Sequence, residues 1–95
     1  MEISTFNNTE FGEIRTIQKN GEVLFCGKDI AAALGYADPK KAIIQHCKEN
    51  GVAIYPLIDS MGREQQAKFI TEGNVYRLIA HSKLPGAERF ERWVF

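Results

Sequence analysis

Lys40, Lys41 and Gln45, two ammonium groups and a carboxamide within the run DPKKAIIQHC, are the side chains of this chain best suited to meet an anion. Ammonium groups bind phosphate oxygens, and a glutamine both donates and accepts, as the edge of an adenine requires. The alternative is a solvated helix face. Paired lysines in a first helical turn oppose the helix dipole on their own and become favourable beside phosphate, so the two readings demand different surroundings.

A second basic set, Arg77, Lys83, Arg89 and Arg92, falls in the last third of the chain. Its alternative role is internal pairing with Glu72, Glu88 and Glu91. Glu88 and Arg92 are spaced i,i+4, which contributes about 0.2–0.5 kcal/mol on a helix. Arg77 has no carboxylate three or four residues away, which leaves it for an external anion or a buried ion pair. Tyr36, Tyr76 and Trp93 could stack on unpaired bases, although such rings more often pack, and Trp93 reads as core. Arg63 and Lys68 flank a loop between strands, either a wing touching DNA backbone or a mobile surface loop.

Chemistry of other kinds finds less to work with. Ser60, Ser82, His46 and His81 sit in no nucleophile motif, and no Gly-rich phosphate loop is present, so no catalysis is expected. Cys26, His46, Cys47 and His81 are four zinc-type ligands without any short paired spacing. Neither a metal nor another cofactor is expected; the histidines read as structural or solvent-facing, and both cysteines as buried free thiols.

Ninety-five residues allow one domain with a single core. With 44% hydrophobic and 25% charged residues, the composition is that of an ordinary globular domain, and no apolar run approaches the ~18 residues of a membrane span. The start, MEISTFNNTEF, is polar and acidic rather than basic then apolar, unlike a secretory signal, so a cytoplasmic location is expected. Twelve basic and twelve acidic residues cancel. Their distribution does not: residues 1–39 hold six acidic and three basic side chains, and residues 40–95 hold nine basic and six acidic, or −3 against +3. One face of a neutral domain can therefore be positive.

The elements that must position these groups can be traced along the chain. EIRTIQKNGEVLF alternates around Asn20-Gly21, which predicts a hairpin with Ile14, Ile17, Val23 and Phe25 on its core face. KDIAAALGY predicts a short helix with Ile30, Ala33 and Leu34 inward, stopped at Gly35. Asp38 as N-cap and Pro39 in the first turn start a second helix, with Ile43, Ile44 and Cys47 inward, running to Gly51. The pair has the outline of a helix-turn-helix, although the position that should lock its second helix falls on Lys41 unless the turn is one residue longer. A strand pair follows near Val52–Ile58 and Gln65–Ile70, with Pro56 marking an edge. Thr71 caps a helix with Val75, Leu78 and Ile79 inward. Pro85 opens a last one with Leu84, Ala87, Phe90 and Val94 on its face. The class is α+β: two short antiparallel β-hairpins and about four helices, in the order β-β-α-α-β-β-α-α.

Taken together, Ile14-Arg15, the Asn-Gly turn, KDIAAALGY, DPKKAIIQHC and FITEGNVYRLIAHSKLPGAERFERWVF resemble the Bro-N domain family, the N-terminal module of phage antirepressors and baculovirus repeated-gene proteins. These words cover most of the chain. The resemblance implies a DNA-binding regulatory module acting on phage lysogeny or viral replication, without chemistry of its own, and inside a bacterial host cell if its origin is phage or prophage. The last helix ends on Trp93-Val94-Phe95 without a stop signal, so residues 1–95 read as the N-terminal module of something longer. DNA is the expected partner, with Lys40, Lys41, Gln45, Arg77, Lys83 and Arg89 as contacts. A protein-interaction module that captures a repressor or self-associates is the alternative.

Overall fold

The structure, a computed structural model, describes residues 3–82 and 86–95. Its elements are β1 (Ile3–Asn8), β2 (Gly12–Lys19), β3 (Glu22–Cys26), α1 (Gly27–Ala33), α2 (Pro39–His46), a 3-10 turn (Glu49–Gly51), β4 (Val52–Ile58), β5 (Glu64–Ile70), α3 (Glu72–His81) and α4 (Ala87–Val94). The α+β class and the order of hairpins and helix pairs agree with the sequence reading. The strand number does not: among the described residues five strands form one antiparallel sheet in the order β1-β2-β3-β5-β4. The added strand, β1, buries none of its side chains and so has no apolar alternation to betray it. It is held by its ladder to β2 and by the turn that follows, where Asn8 Oδ1 accepts from the N–H groups of Glu10 and Phe11 at 2.7 and 3.1 Å.

Asn20 and Gly21 both have positive φ, 52° and 78°, as a two-residue turn with the sheet's own twist requires. The expected core face of this hairpin is corrected by its register. Ile17 pairs with Leu24 and Thr16 with Phe25, which buries Leu24 and leaves Val23 exposed. Ile14 and Ile17, an odd number of residues apart, point to opposite faces. The four helices of the described residues lie on Ile14's face, where Phe25 and Ile70 meet Ile30, Leu34, Ile43, Val75, Leu78 and Phe90. The other face carries a smaller cluster of Ile17, Leu24, Cys26, Leu57 and Phe69, so the sheet has apolar packing on both sides. Phe90 on α4 is fully buried, and truncating such a ring to alanine costs about 3–5 kcal/mol.

Local chemistry ends the helices. Gly35, with φ +82°, donates to Ala32 C=O while Tyr36 N–H donates to Ala31 C=O, which closes the end of α1. Asp38 Oδ1 accepts from Lys41 N–H at 3.1 Å, and Thr71 Oγ1 from Asn74 N–H at 3.4 Å, as expected of N-caps. The helix α2 stops at His46 rather than reaching Gly51, because Cys47 turns extended. Leu84 and Pro85 lie outside the described residues. Trp93 is half-buried against Phe11, their rings stacked at 5.9 Å, and Phe95 stacks on Tyr76 at 4.6 Å. Among the described residues no helix is long and apolar enough to cross a membrane.

Candidate nucleic-acid interface

The anion-seeking side chains depend on how α2 is seated. Ala42 and Ile43 are its buried residues. Ile43 rests on Gly27 at the start of α1, where an added Cβ would come within 2.8 Å of Ile43 Cδ1. Ile43, not Lys41, is thus the residue that locks the second helix. Lys40, Lys41, Ile44 and Gln45 all face outward and are exposed. The expectation that Ile44 points inward is corrected: it is 65% exposed, because only one side of this eight-residue helix is covered. An isoleucine among two lysines and a glutamine adds an apolar contact, of the kind a thymine methyl accepts, that the sequence reading had assigned to the core.

Beside this face the sheet parts. The strand β3 meets β5 only at Phe25↔Ile70 and Cys26↔Phe69, whereas β4 pairs with β5 along all its residues from Glu64 to Ile70. Past Cys26 a groove of about 640 Å³ opens between β5 and the first turns of α1 and α2, with Lys28, Lys40 and Lys68 among its lining. No ion pair among the described residues involves these lysines. Arg15, also at the groove, is already committed. Its Nε and Nη2 donate to the two oxygens of Asp29 at 2.9 and 3.0 Å, which holds the guanidinium firmly charged, and Nη2 also approaches Cys26 Sγ at 3.5 Å. Sequence reasoning passed over Lys28, which sits in the acidic half of the chain. It placed Lys68 beside a loop, but Lys68 lies well inside β5. The loop itself is organised by Asp59, whose Oδ1 accepts from Met61 and Arg63 N–H at 2.9 Å and whose Oδ2 accepts from Gln65 Nε2 at 2.9 Å.

The second basic set divides. Arg77, on α3, is partly buried and donates to Asn74 Oδ1 at 3.2 Å. It stands near the far end of α2: burial pushes the Cys47 thiol pKa up, while the Arg77 and Lys68 cations pull it the other way. Arg89, on α4, is held by Glu10 in the turn between β1 and β2, with Nε donating to Oε1 at 3.3 Å and Nη2 to Oε2. Arg92 pairs with Glu88 at 2.8 Å as its spacing implied. Lys83 lies outside the described residues.

The remaining side chains singled out in the sequence take structural places. The Tyr36 hydroxyl donates to Leu78 C=O at 2.7 Å, and Ser82 Oγ donates to Leu34 C=O at 2.8 Å. His46 and His81, at the ends of α2 and α3, stack with ring centroids 4.4 Å apart. Cys26 is buried in the sheet's second cluster, and Cys47 is only half-buried, short of the full burial expected. Among the described residues no three His, Cys, Asp or Glu side chains gather as a metal-holding group.

Comparison with known proteins gives a consistent result. A family model described as the BRO family, N-terminal domain, matches residues 13–95. An uncharacterized protein of Haemophilus influenzae is 40% identical over 95 residues, covering 100% of this chain and 47% of that protein. A putative Bro-N domain-containing protein, 289L of Invertebrate iridescent virus 6, is 31% identical over 87 residues, covering 74% of this chain and 21% of its own length. Its counterpart 019R of Invertebrate iridescent virus 3 is 30% identical over 92 residues, covering 75% and 23%. The chain thus spans less than half the length of the curated relatives it matches. No solved structure matches it.

Proposed function

We propose that this chain, which belongs to the BRO family as an N-terminal domain, is a DNA-binding regulatory module of an antirepressor-type protein of phage or prophage origin, without catalytic activity. The observation that carries this reading is the outward face of α2. Lys40, Lys41, Ile44 and Gln45 are all exposed, no ion pair among the described residues occupies either lysine, and the helix beneath them is seated by Asp38 and Ile43. A rigid face with unpaired cations beside a helix N-terminus is what phosphate contacts need. In this reading Lys40 and Lys41 hold the backbone, Gln45 and Ile44 meet base edges, and Arg77 extends the positive surface at the other end of α2. Lys83 keeps its place in the proposal from the sequence. Arg89 draws less support, because Glu10 already holds it.

The test is fluorescence anisotropy of the chain with duplex and single-stranded DNA pools, titrated from low to moderate salt. Binding whose logarithm falls linearly with log salt, by about 0.9 for each phosphate neutralised, supports the reading. No binding even at low salt ends it and leaves repressor capture. Self-association through the C-terminal helix has less behind it, since Trp93 and Phe95 pack onto Phe11 and Tyr76 of the same domain.

A further inference from the structure

The groove beside α2 contains an open strand edge. Thr71 N–H donates to Gly51 C=O at 3.0 Å, and Asp59 N–H donates to Arg63 C=O at 2.8 Å. With the register of β4 and β5, these bonds make Gln65, Ala67 and Phe69 the β5 residues bonded to β4 and turn the N–H and C=O of Gln66 and Lys68 the opposite way. On that side β3 reaches only Phe69 and Ile70, so no strand among the described residues pairs with Glu64 to Lys68 there. Gln65, Gln66, Ala67 and Lys68 run consecutively along the groove wall.

The outer edge of the same hairpin is treated differently. By the same alternation the β4 residues facing away from β5 include Pro56, which has no N–H to offer. A proline at that place interrupts any strand that would add there. The inner edge carries no such block, and its surroundings are positive. Lys28, Lys40 and Lys68 line it without ion partners among the described residues, whereas the nearby carboxylates are engaged: Asp38 by Lys41 N–H, and Asp59 by Met61, Arg63 and Gln65.

We propose that this groove takes an extended, acidic segment of a partner protein as an added strand on the inner edge of β5. The main chain of Gln66 and Lys68 would supply its ladder, and Lys28, Lys40 and Lys68 would meet the segment's carboxylates. A peptide fits better than a nucleic-acid backbone, because the open C=O groups of Gln66 and Lys68 need donors and a phosphodiester has none. This goes beyond the DNA-binding reading and rests on different atoms. Lys40 belongs to both surfaces, so an acidic strand in the groove and DNA on α2 compete for it.

The probe is an acetylated, amidated peptide alternating glutamate and valine, followed by amide hydrogen exchange and by anisotropy on the whole chain. Binding is expected to slow exchange at Gln66 and Lys68. N-methylation of the peptide nitrogens that face β5 weakens affinity at least about tenfold, and methylation of the alternate set changes it less than about twofold. K68E, which keeps the main chain intact, also weakens it. Equal affinity of the two methylated peptides, unchanged exchange at Gln66 and Lys68, or protection of those amides by oligothymidylate instead of the peptide each overturns the proposal. Loss of DNA binding in K41A/Q45A, whose side chains lie outside the groove lining, with the Gln66 and Lys68 protection retained would show the two readings to be separate. DNA binding in a chain that takes no peptide would retire this one alone.

Discussion

Asn74 on α3 holds Lys48 at both of its main-chain polar groups: Oδ1 accepts from Lys48 N–H at 2.8 Å, and Nδ2 donates to Lys48 C=O at 3.0 Å. Lys48 follows directly after the C-cap of α2, so this clamp fixes the end of the helix that carries Lys40, Lys41 and Gln45. Arg77 donates to the same Oδ1, and Gly51 lies against the amide, where an added Cβ would come within 2.5 Å of Nδ2. Asn74 is fully buried and satisfied.

N74A should therefore destabilise the domain by about 1–3 kcal/mol, since it leaves the Lys48 N–H without its partner and the Lys48 C=O with Gly51 N–H in place of two donors. G51A should cost about as much, roughly 1–3 kcal/mol, by forcing Asn74 or Thr71 to move. Urea denaturation measures both. A midpoint unchanged in N74A would mean that water replaces the clamp.

K40A/K41A should weaken DNA binding and lower the salt slope by about one unit for each lysine, with the thermal midpoint preserved because both side chains are exposed. R89A is the comparison. It breaks the pair with Glu10 and should leave the slope nearly unchanged. If R89A instead lowers the slope as K40A does, Arg89 belongs to the interface and its pair with Glu10 opens on binding.

Acid should loosen the two turns that ionised carboxylates organise. Hydrogen bonding to Arg89 holds the Glu10 pKa below its ordinary 4.5, and hydrogen bonds from Gln65 and from the Arg63 main chain hold Asp59 below 3.8. A depressed carboxyl contributes stability that is complete above its unfolded value and is lost as pH falls through its folded value. The thermal midpoint should drop from about pH 5 to about pH 3, and less steeply in E10Q/D59N. Glu10 is exposed and Asp59 half-buried at the surface, so the difference is small and shrinks with added salt.

P56T should restore an N–H on the outer edge of β4 and open that edge to other copies. Exposed Ile54 and Ile58 flank the position and would favour such pairing. Light scattering at rising concentration should show more self-association in P56T than in the unaltered chain. A monodisperse P56T would show that something other than the missing donor protects this edge.

Much of this architecture was legible along the chain. Asn20-Gly21, Gly35, Asp38-Pro39 and Thr71 announce turns and helix ends because each meets a local demand, a positive φ or an orphan N–H, within four residues of itself. Strand β1 was not legible, because an edge strand that buries nothing needs no apolar period. Nor could adjacent Ile43 and Ile44 be told apart. Both are apolar, and only the cover from α1 makes one of them core and the other surface.

The local signals in these residues thus determined the two later hairpins, the helices, the Asp38 and Thr71 caps and the family. Which carboxylate answers Arg89, which amide anchors Lys48, and where β3 leaves β5 unpaired were decided only when segments distant in sequence met. Those contacts depend on where packing places two side chains, and no short-range spacing encodes that.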